Sequence, residues 1–550
     1  MRQLIFLFIL IPTLVFSQKK DYKTYDKAVK YFNAGNNEKA KQLIVKILDK
    51  NPDWNQPSLL MSNILSDEGN ITQATQYLLN VYDLDNPEDV KGIEQIANLF
   101  YINGYYNDAL EFFNIAWNID SLSCKKKTSL YMKNCNFAIQ KLQDPVPFTS
   151  KNMGSEINSS FAEYLPTISV NNQFFFITRR LEYQDGSRNE DFFVSVKDNN
   201  NWSKATRLDK PINSNENEGA ITISSDGQLL VFTGCDRRDG YGGCDLYCSI
   251  KNDKWSLPFN MGEHVNSRWK DTQPCFSADG RYLYFASNRN QGYGGLDIWQ
   301  IEVTYNNYGE VVFGNPKNLG EIINTPYDEM SPFIHSNNLT LYFASNGHVG
   351  MGDYDLFLSR RNNADNKWGQ PMNLGYPINT YKVENSLIVA SDGKTAYFAS
   401  DKSGYGQEDI FWFELPEDIQ SEHVSDLELE IITGKKGVEV VLKNVQFDHN
   451  SYDLTSDSFA ELHKLIAYLH KHPSLKITIE GHTDNVGNSK QNKLLSENRS
   501  KTVYDYLLVK GVRSSQLVSY TGYGENKPIS NNDTKNGRAL NRRTSFRIIQ

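Results

Sequence analysis

The chain has 550 residues, of which 57 are Lys or Arg and 66 are Asp or Glu, so its formal net charge is −9. This length exceeds what one hydrophobic core supports, and three or more domains are expected. The negative net charge argues against nucleic acid as the main partner, because proteins that bind nucleic acid carry a surplus of basic residues.

The N terminus predicts a secretory signal peptide over residues 1–17. One basic residue, Arg2, precedes an apolar run from Leu4 to Phe16, which is too short to span a bilayer comfortably. Ser17 then offers a small residue before a cleavage site at Gln18. No cysteine follows that site, so we expect an exported chain without a lipid anchor. No later stretch is apolar enough to predict a transmembrane span.

Residues 18–145 predict a helical solenoid. Glycine and alanine recur in register about every 34 residues, at Gly35, Gly69 and Gly104 and at Ala40, Ala74 and Ala109. Small residues with this period are typical of paired helices and resemble tetratricopeptide repeats. We expect three such units and a terminal helix from Lys125 to Leu142. A solenoid of this kind offers a concave surface to another polypeptide.

Residues 146–416 carry a second repeat of about fifty residues with strand and turn signals, which predicts a β-propeller. Each unit has an Asn in a phrase such as LDKPINS (Asn158, Asn213, Asn266, Asn324, Asn379). Each also has an acidic-apolar strand (Asp191, Asp245, Asp297, Asp355, Asp409). The units resemble the PD40 (WD40-like, TolB-type) repeat and predict five blades. We expect a strand within residues 147–154 to complete the last blade and close the ring, which would remove an exposed edge.

Six cysteines in an exported chain make disulfides plausible. The favoured pair is Cys235 with Cys244, because these residues flank a Gly-rich hairpin loop. The other candidate pairs are Cys124 with Cys135 and Cys248 with Cys275.

No cofactor and no metal site are expected. Asp236, Asp239 and Asp245 could suggest calcium, but their spacing is incomplete and two arginines interrupt it.

Residues 417–436 are polar and charged and predict a linker into a last domain at 437–550. The predicted order of elements in that domain is βαβαββ. In order, its elements are a strand in Val440–Phe447, a helix over Thr455–His472 with Phe459, Leu462, Ile466 and Leu469 on one face, a strand over Lys476–Glu480, a helix with Leu495, Val503 and Leu507 that stops before Gly511, and strands near Val518–Tyr520 and Thr544–Ile549.

Four motifs in this domain carry the functional signal: GHTDNVG (481–487), NKLLSENRS (492–500), GYGENKPI (522–529) and NRR (541–543). They resemble the OmpA-like peptidoglycan-binding module, whose pattern reads roughly GHTDxxG, NxxLSxxRA, GxGExxPI and NRR. Ser500 departs from the usual Ala, a small-for-small change. The fold class is therefore multidomain, with an α-helical solenoid, an all-β propeller and an α+β OmpA-like domain.

The resemblance implies a ligand, the diaminopimelate of peptidoglycan stem peptides. Asp484 would hold its ammonium, and Arg499 would hold its carboxylate bidentately. The resemblance adds Thr483, Asn485 and Asn492 as pocket residues and Phe447 and Asp448 at the rim. The alternative is that Asp484 closes an Asx-turn and Arg499 forms a structural ion pair. Arg542 and Arg543 are expected to be structural, pairing with carboxylates beneath the sheet.

No catalytic residues are expected. The sequence has no GxSxG elbow, and Ser391–Thr395 imitates a P-loop without its first glycine. His482 has no second His or Cys at ligand spacing and is expected to pack or hydrogen-bond in its loop.

The sequence therefore favours a non-catalytic exported scaffold in the periplasm, associated with the outer membrane and cell wall. It would bind peptidoglycan and present its repeats to outer-membrane or periplasmic proteins. The domain order resembles the peptidoglycan-anchoring component of the type IX secretion and gliding machinery. The alternative is a wall-tethered sensor or carrier whose propeller binds a glycan or peptide.

Overall fold

The structure is a computed structural model that describes most of residues 15–549. The residues outside the description are 1–14, 87–88, 122–126, 184, 200, 307–309, 363–366, 403, 423, 425–436, 438, 443–444, 446, 448–450, 455–457, 459–461, 463–464, 467, 471 and 550. The expected signal peptide lies almost wholly outside the described residues. Among the helices that are described, none combines the length and apolar character needed to cross a membrane.

The N-terminal region consists of helices that pack in sequence order. They are α1 (Val15–Asn33), α2 (Asn37–Leu48), α3 (Asn55–Asp67), α4 (Ile71–Leu79), α5 (Val90–Tyr101), α6 (Tyr106–Ile119) and α7 (Lys127–Gln143). α1 packs on α2, α3 on α4 and α5 on α6, and α7 covers α6.

The glycine and alanine register of the sequence explains these pairs. Gly35, Gly69 and Gly104 have φ of 74°, 76° and 79° in the turn inside each pair, a left-handed conformation that favours glycine. Ala40, Ala74 and Ala109 are fully buried at the helix contacts. The small residues therefore let each pair of helices approach closely.

The helices form one compact unit together with residues 345–356 and 373–384. Met351, from the first of these segments, is fully buried in a cluster with Tyr101, Tyr106 and Cys135. The Tyr101 hydroxyl also donates to the carbonyl of Gly352 at 2.9 Å. We call these helices and the two segments the helical unit.

The β region consists of five antiparallel sheets. Its strands are β1 (Lys151–Asn152), β2 (Ala162–Ile168), β3 (Phe174–Glu182), β4 (Arg188–Asp198), β5 (Asn201–Trp202), β6 (Thr206–Arg207), β7 (Glu218–Ile223), β8 (Leu229–Cys235), β9 (Cys244–Ile250), β10 (Phe259–Asn260), β11 (Asp271–Phe276), β12 (Tyr282–Ser287), β13 (Asp297–Tyr305), β14 (Val311–Phe313), β15 (Lys317–Asn318), β16 (Glu329–Ile334), β17 (Thr340–Ser345), β18 (Asp355–Arg360), β19 (Met372–Asn373), β20 (Ile388–Val389), β21 (Thr395–Ser400) and β22 (Asp409–Glu414). The sheet orders are β2-β3-β4-β5, β7-β8-β9-β10, β11-β12-β13-β14, β16-β17-β18-β19 and β20-β21-β22-β1, with β6 paired to β4 and β15 to β13.

The repeated asparagine holds the third strand of the preceding sheet. Asn158 accepts the Ile410 amide at 2.8 Å and donates to its carbonyl at 2.9 Å. The same two bonds join Asn213 to Phe192, Asn266 to Leu246, Asn324 to Ile298 and Asn379 to Leu356. Since β1 also pairs with β22, the first and last parts of the β region are joined by strand pairing and by this side-chain clamp.

The cysteines differ partly from expectation. Cys235 and Cys244 form the favoured disulfide, which joins the facing ends of β8 and β9. The other two candidate pairs are wrong, because Cys135, Cys248 and Cys275 are free thiols. Cys248 and Cys135 are buried among apolar side chains. Cys124 lies outside the described residues.

The C-terminal domain is built on a four-stranded sheet of order β23-β26-β24-β25. Its elements are β23 (Glu439–Val441), β24 (Ile477–His482), α8 (Ser489–Val509), β25 (Leu517–Gly524), α9 (Lys535–Asn541) and β26 (Thr544–Ile548). β24 and β25 are parallel, and β26 runs antiparallel to β24 and β23. The short helix α9 lies between the last two strands, where the sequence predicted a direct connection.

The core of this domain uses the expected apolar face. Leu462, Ile466 and Leu469 are helical and pack with Val503 and Leu507 of α8. Phe459 lies outside the described residues. The helix α8 ends just before Gly511, whose φ is 88°.

The start of the predicted linker is packed rather than free. Residues Glu417–Ile419 form a short 3-10 helix in which Ile419 is buried. The Tyr342 hydroxyl donates to the Ile419 carbonyl at 2.8 Å. The first residues after β22 therefore pack against the β region.

We predict that Asn158→Ala destabilises the β region by about 1–3 kcal/mol, because it leaves the buried amide and carbonyl of Ile410 without their partner. The midpoint of its urea transition, followed by tryptophan fluorescence, should fall. The control is Asn215→Ala, an exposed residue of an equivalent loop, which should change stability by less than about 0.5 kcal/mol. Equal midpoints for the two variants would contradict a stabilising role for the bonds between Asn158 and Ile410.

Candidate functional site

In the C-terminal domain α8 rests closely on two strand ends, and Asp484, Arg499 and Arg542 lie near one another beside this contact, in what we call the cleft. A Cβ at Gly481 would lie 2.2 Å from the Ser496 carbonyl oxygen, and a Cβ at Gly522 would lie 2.2 Å from the Glu497 nitrogen. Both positions must therefore be glycine for α8 to rest on β24 and β25. This contact places the middle of α8 beside the loop that follows β24.

Asp484 lies in that loop, two residues after β24 ends. Its Oδ1 accepts the amide of Val486 at 3.1 Å, the Asx-turn that the sequence offered as an alternative. Its Oδ2 lies 2.6 Å from Nη1 of Arg542. The carboxylate thus closes the turn with one oxygen and holds a guanidinium with the other.

Arg499 projects from α8 toward the same cleft. Its Nε donates to the Ser451 carbonyl at 3.0 Å, and its guanidinium lies 4.9 Å from the centre of the Phe447 ring. Burial and the neighbouring Arg542 lower the pKa of Arg499, whereas Asp484 opposes that shift. Among the described residues no hydrogen bond engages its Nη atoms, so the fork of the guanidinium can accept a bidentate anion.

Two of the other expected pocket residues, Asn492 and Thr483, hold the loop in place. The Asn492 side chain donates to the carbonyls of Asp484 and Val486, at 3.3 and 3.2 Å, and to Glu525 at 2.8 Å. Thr483 is buried, and its amide donates to Gly524 at 3.0 Å.

The remaining three expected residues are Asn485, Phe447 and Asp448. Asn485 is exposed, Phe447 stacks under Arg499, and Asp448 lies outside the described residues. Asn492 and Thr483 therefore hold the loop, and Asn485 is open to a ligand.

The two arginines of the NRR motif have different roles. Arg543 is buried and pairs with Glu439 at 2.8 Å, as predicted. Arg542 was also expected beneath the sheet, but it turns to Asp484 and leaves 47% of its side chain exposed. The sequence reasoning missed it because the order of the two arginines does not reveal which one faces the cleft.

A network of buried charges supports the sheet under the site. Arg547 holds Glu480 through two bonds, at 2.8 and 2.7 Å. The His482 imidazole is fully buried, 3.4 Å from Glu439. Burial, reinforced by Arg543, lowers the pKa of His482 to about 4, so the ring is neutral at pH 7.

In the described part of the chain, Glu439, Glu480 and His482 are the one group whose ligand atoms are close enough to hold a metal ion, within 4.8 Å of one another. Arg543 and Arg547 already engage the two carboxylates. This donor set therefore fits an ion-pair network better than a cation site.

Residues 446–542 match the OmpA family. Outer membrane porin F of Pseudomonas aeruginosa is 38% identical over 105 residues, which are 19% of this chain and 30% of that protein. The peptidoglycan-associated lipoprotein of Buchnera aphidicola is 36% identical over 100 residues, 18% of this chain and 57% of the relative. The crystal structure of the peptidoglycan-associated lipoprotein from Burkholderia pseudomallei is 32% identical, with a TM-score of 0.18, and the match covers 19% of this chain and 87% of that one.

The C-terminal domain is therefore an OmpA-like domain. The chain spans less than a third of the length of porin F and somewhat more than half of the Buchnera lipoprotein. These matches leave the helical unit and the β region uncovered.

We predict that the stability of the OmpA-like domain falls as the pH drops from about 6.5 toward 4. The unfolded chain protonates His482 near its ordinary pKa, whereas the folded domain holds the ring neutral, so protons favour unfolding in this window. His482→Gln should remove about 1–2 kcal/mol of the difference in unfolding free energy between pH 7.5 and 5.0, measured in urea.

The control for this prediction is His470→Gln, an exposed histidine of the same domain. It should keep the pH dependence of the parent chain. A histidine NMR titration in which the His482 ring protonates near pH 6.5 would contradict the buried neutral ring.

Proposed function

We propose that the protein binds peptidoglycan non-covalently through the cleft of its OmpA-like domain. The single observation that carries this proposal is the arrangement of charge: Asp484, already 2.6 Å from Arg542, lies beside the half-buried Arg499, whose Nη atoms have no hydrogen bond to any other described residue. A carboxylate beside two guanidinium groups suits a ligand that carries both an ammonium and a carboxylate. The side chain of diaminopimelate, in peptidoglycan stem peptides, ends in that pair of groups.

The ligand would enter with its carboxylate against Arg499 and its ammonium against Asp484. Arg542, whose Nη1 lies 2.6 Å from Asp484, would add a second guanidinium near the ligand. Asn485, exposed on the same loop, offers polar contacts to the rest of the stem peptide. Because the fork of Arg499 rests on Phe447, it is held in place before the ligand arrives, which lowers the entropy cost of binding.

The relatives support this proposal through what their names say. One of the matched proteins is named a peptidoglycan-associated lipoprotein, and the family match over residues 446–542 includes Asp484, Arg499 and Arg542. A wall-binding protein must meet the wall, so we propose a periplasmic location associated with the outer membrane after signal-peptide cleavage.

We infer that the rest of the chain is a non-catalytic scaffold. The helix pairs with buried alanines support a tetratricopeptide-type solenoid, and the five sheets support a five-bladed PD40-type propeller closed by β1. In support of the propeller, β2, β7, β11, β16 and β20, the first strand of each sheet in its repeat, all contribute to the lining of one cavity. Such surfaces would be presented to envelope proteins, and the domain order suggests the type IX secretion and gliding machinery.

A second candidate function is a wall-tethered carrier whose propeller binds a neutral ligand. The observation that favours it is the same cavity, of about 70 Å³, whose lining contains no charged side chain. Ser331, Ser386 and Gln273 offer hydroxyl and amide groups among apolar neighbours there. A glycan or a peptide backbone would find hydrogen bonds but no ion pair in this space.

We predict that Asp484→Asn and Arg499→Gln each weaken sedimentation of the full chain with purified peptidoglycan by about 30-fold or more. Each substitution leaves the opposite charge of the ligand unpaired in a partly desolvated cleft, at a cost of about 2–5 kcal/mol. The matched controls are Asp533→Asn and Arg513→Gln, exposed charges of the same domain, which should bind as the parent does. Unchanged binding in both cleft variants would overturn the proposal that peptidoglycan is bound through Asp484 and Arg499.

We predict a smaller effect for Arg542→Gln, a loss of about fivefold in the same assay. The side chain is half exposed, so solvent screens its attraction to the ligand and reduces the loss to about 1 kcal/mol. Tighter binding by this variant would mean instead that Arg542 competes with the ligand ammonium for Asp484. A loss as large as that of Arg499→Gln would contradict the expectation that Arg542 contributes less to binding than Arg499 does.

A further inference from the structure

Four loops of the β region are built in the same way. Each joins the second and third strands of its sheet and contains two glycines around one larger residue. The sequences are Gly240-Tyr241-Gly242, Gly292-Tyr293-Gly294, Gly350-Met351-Gly352 and Gly404-Tyr405-Gly406. The corresponding loop of the first sheet, before Asp191, lacks this pattern.

The buried acid that opens each third strand fixes the loop. The amide of the central residue donates to Asp245, Asp297, Asp355 or Asp409 at 2.5–2.6 Å. This bond explains the aspartate in four of the five acidic-apolar strands, and in the second sheet it occupies the Asp245 carboxylate that the sequence offered for calcium. In the first sheet Asp191 pairs with Arg207 instead.

Both glycines are required because the loop passes close to other atoms. A Cβ on the first glycine would lie 1.7–2.6 Å from the aspartate oxygen, and one on the second would lie 1.7–2.3 Å from backbone atoms of the next repeat. The bond to the aspartate holds the backbone of the central residue, whose side chain can then make other contacts.

The four central side chains have different surroundings. Met351 is fully buried within the helical unit, among Tyr101, Tyr106 and Cys135 and small residues of α5, α6 and α7. The other three are exposed: Tyr241 by 48%, Tyr293 by 49% and Tyr405 by 53%. Within the described residues their rings make no aromatic contact and their hydroxyls no hydrogen bond.

We propose that Tyr241, Tyr293 and Tyr405 are docking side chains for an α-helical repeat segment of another envelope protein. The proposal rests on the scaffold role proposed above and specifies one surface for it. The partner segment would present a pocket of small residues between paired helices, of the kind that receives Met351 in this chain.

The occupied fourth loop is the reason for this choice of partner. The pocket around Met351 is lined by Ala97, Ala109 and Ala138, one from each of three successive helices, which leave room for a protruding side chain. A second copy of this chain offers no such vacancy, because its own Met351 fills that pocket. Tyrosine carries more apolar area than methionine and a hydroxyl, so a helical pocket with one polar group suits it.

The energetics agree with docking by a few fixed aromatic residues. Tyrosine is enriched among the residues that carry most of the binding energy of interfaces. Because the backbone of each loop is already held by its aspartate and glycines, little conformational entropy is lost when the ring is buried. Trp269, exposed by 51%, adjoins the Tyr241 loop through the bond from the Gly243 amide to its carbonyl and extends the apolar surface there.

The test is photo-crosslinking in cells that produce the full chain. A photoreactive phenylalanine analogue is placed in turn at positions 241, 293, 405, 351 and 305, and crosslinked peptides are mapped by mass spectrometry. Position 351 should crosslink within the chain to α5, α6 or α7, which is the internal standard. Tyr305, exposed by 55% at the end of a strand, is the control position and should give background yield.

The expected result is that positions 241, 293 and 405 crosslink to paired helices of a different protein. The triple variant Tyr241→Ala, Tyr293→Ala, Tyr405→Ala should lower the amount of that partner retained by the chain by about tenfold or more, whereas Tyr305→Ala should leave it unchanged. Crosslinks to a second copy, to glycan or to a non-helical surface would overturn the proposal, as would no crosslink above the Tyr305 background.

Peptidoglycan sedimentation separates this proposal from the previous one. The triple tyrosine variant should sediment with the wall as the parent does, which shows that its OmpA-like domain is folded. Asp484→Asn should keep the crosslinks at 241, 293 and 405. A chain that loses wall binding but keeps its partner, or the reverse, therefore identifies which of the two proposals fails.

Discussion

The functional cleft depends on how closely α8 rests on the ends of β24 and β25. Gly481 and Gly522 have no space for a Cβ against the α8 backbone, so a larger residue at either position would lift the helix. Arg499 is carried on that helix and Asp484 on the loop after β24. The charge arrangement of the site is therefore a consequence of backbone packing.

The charged side chains of the domain form two groups that differ in their exposure to water. Beneath the sheet, Glu439, Glu480, Arg543 and Arg547 are paired in bonds that satisfy one another, and the neutral ring of His482 is enclosed with them. At the cleft, Asp484 and Arg542 are paired, yet Arg542 is half exposed and the Nη atoms of Arg499 bond to none of the described residues. A buried network stabilises one geometry, whereas a partly open one can exchange a partner for a ligand.

The β region uses one pair of devices repeatedly. An asparagine from one repeat closes two backbone bonds on the third strand of the sheet before it, and in four of the five sheets an aspartate at the start of that strand holds the preceding loop. Through these asparagine bonds each sheet is stabilised by the next repeat along the chain. Asn158, which lies in the first repeat, makes the same bonds to the last sheet. Stability is thus shared between repeats, while the loop side chains are free to differ, as Met351 and the three tyrosines do.

The sequence by itself determined the helical N-terminal region, the large β region and the OmpA-like C-terminal domain, because these follow from local pattern: glycine where φ is positive, alternation in strands, and the GHTD, ENRS and NRR motifs. It also named Asp484 and Arg499, which the structure brings near one another. It did not determine that Arg542, 58 residues from Asp484, would be its partner, that Cys248 and Cys275 would stay apart, or that Met351 would be buried while Tyr293 is exposed. These features depend on which distant backbone segments meet, and only the packed tertiary structure brings such segments together.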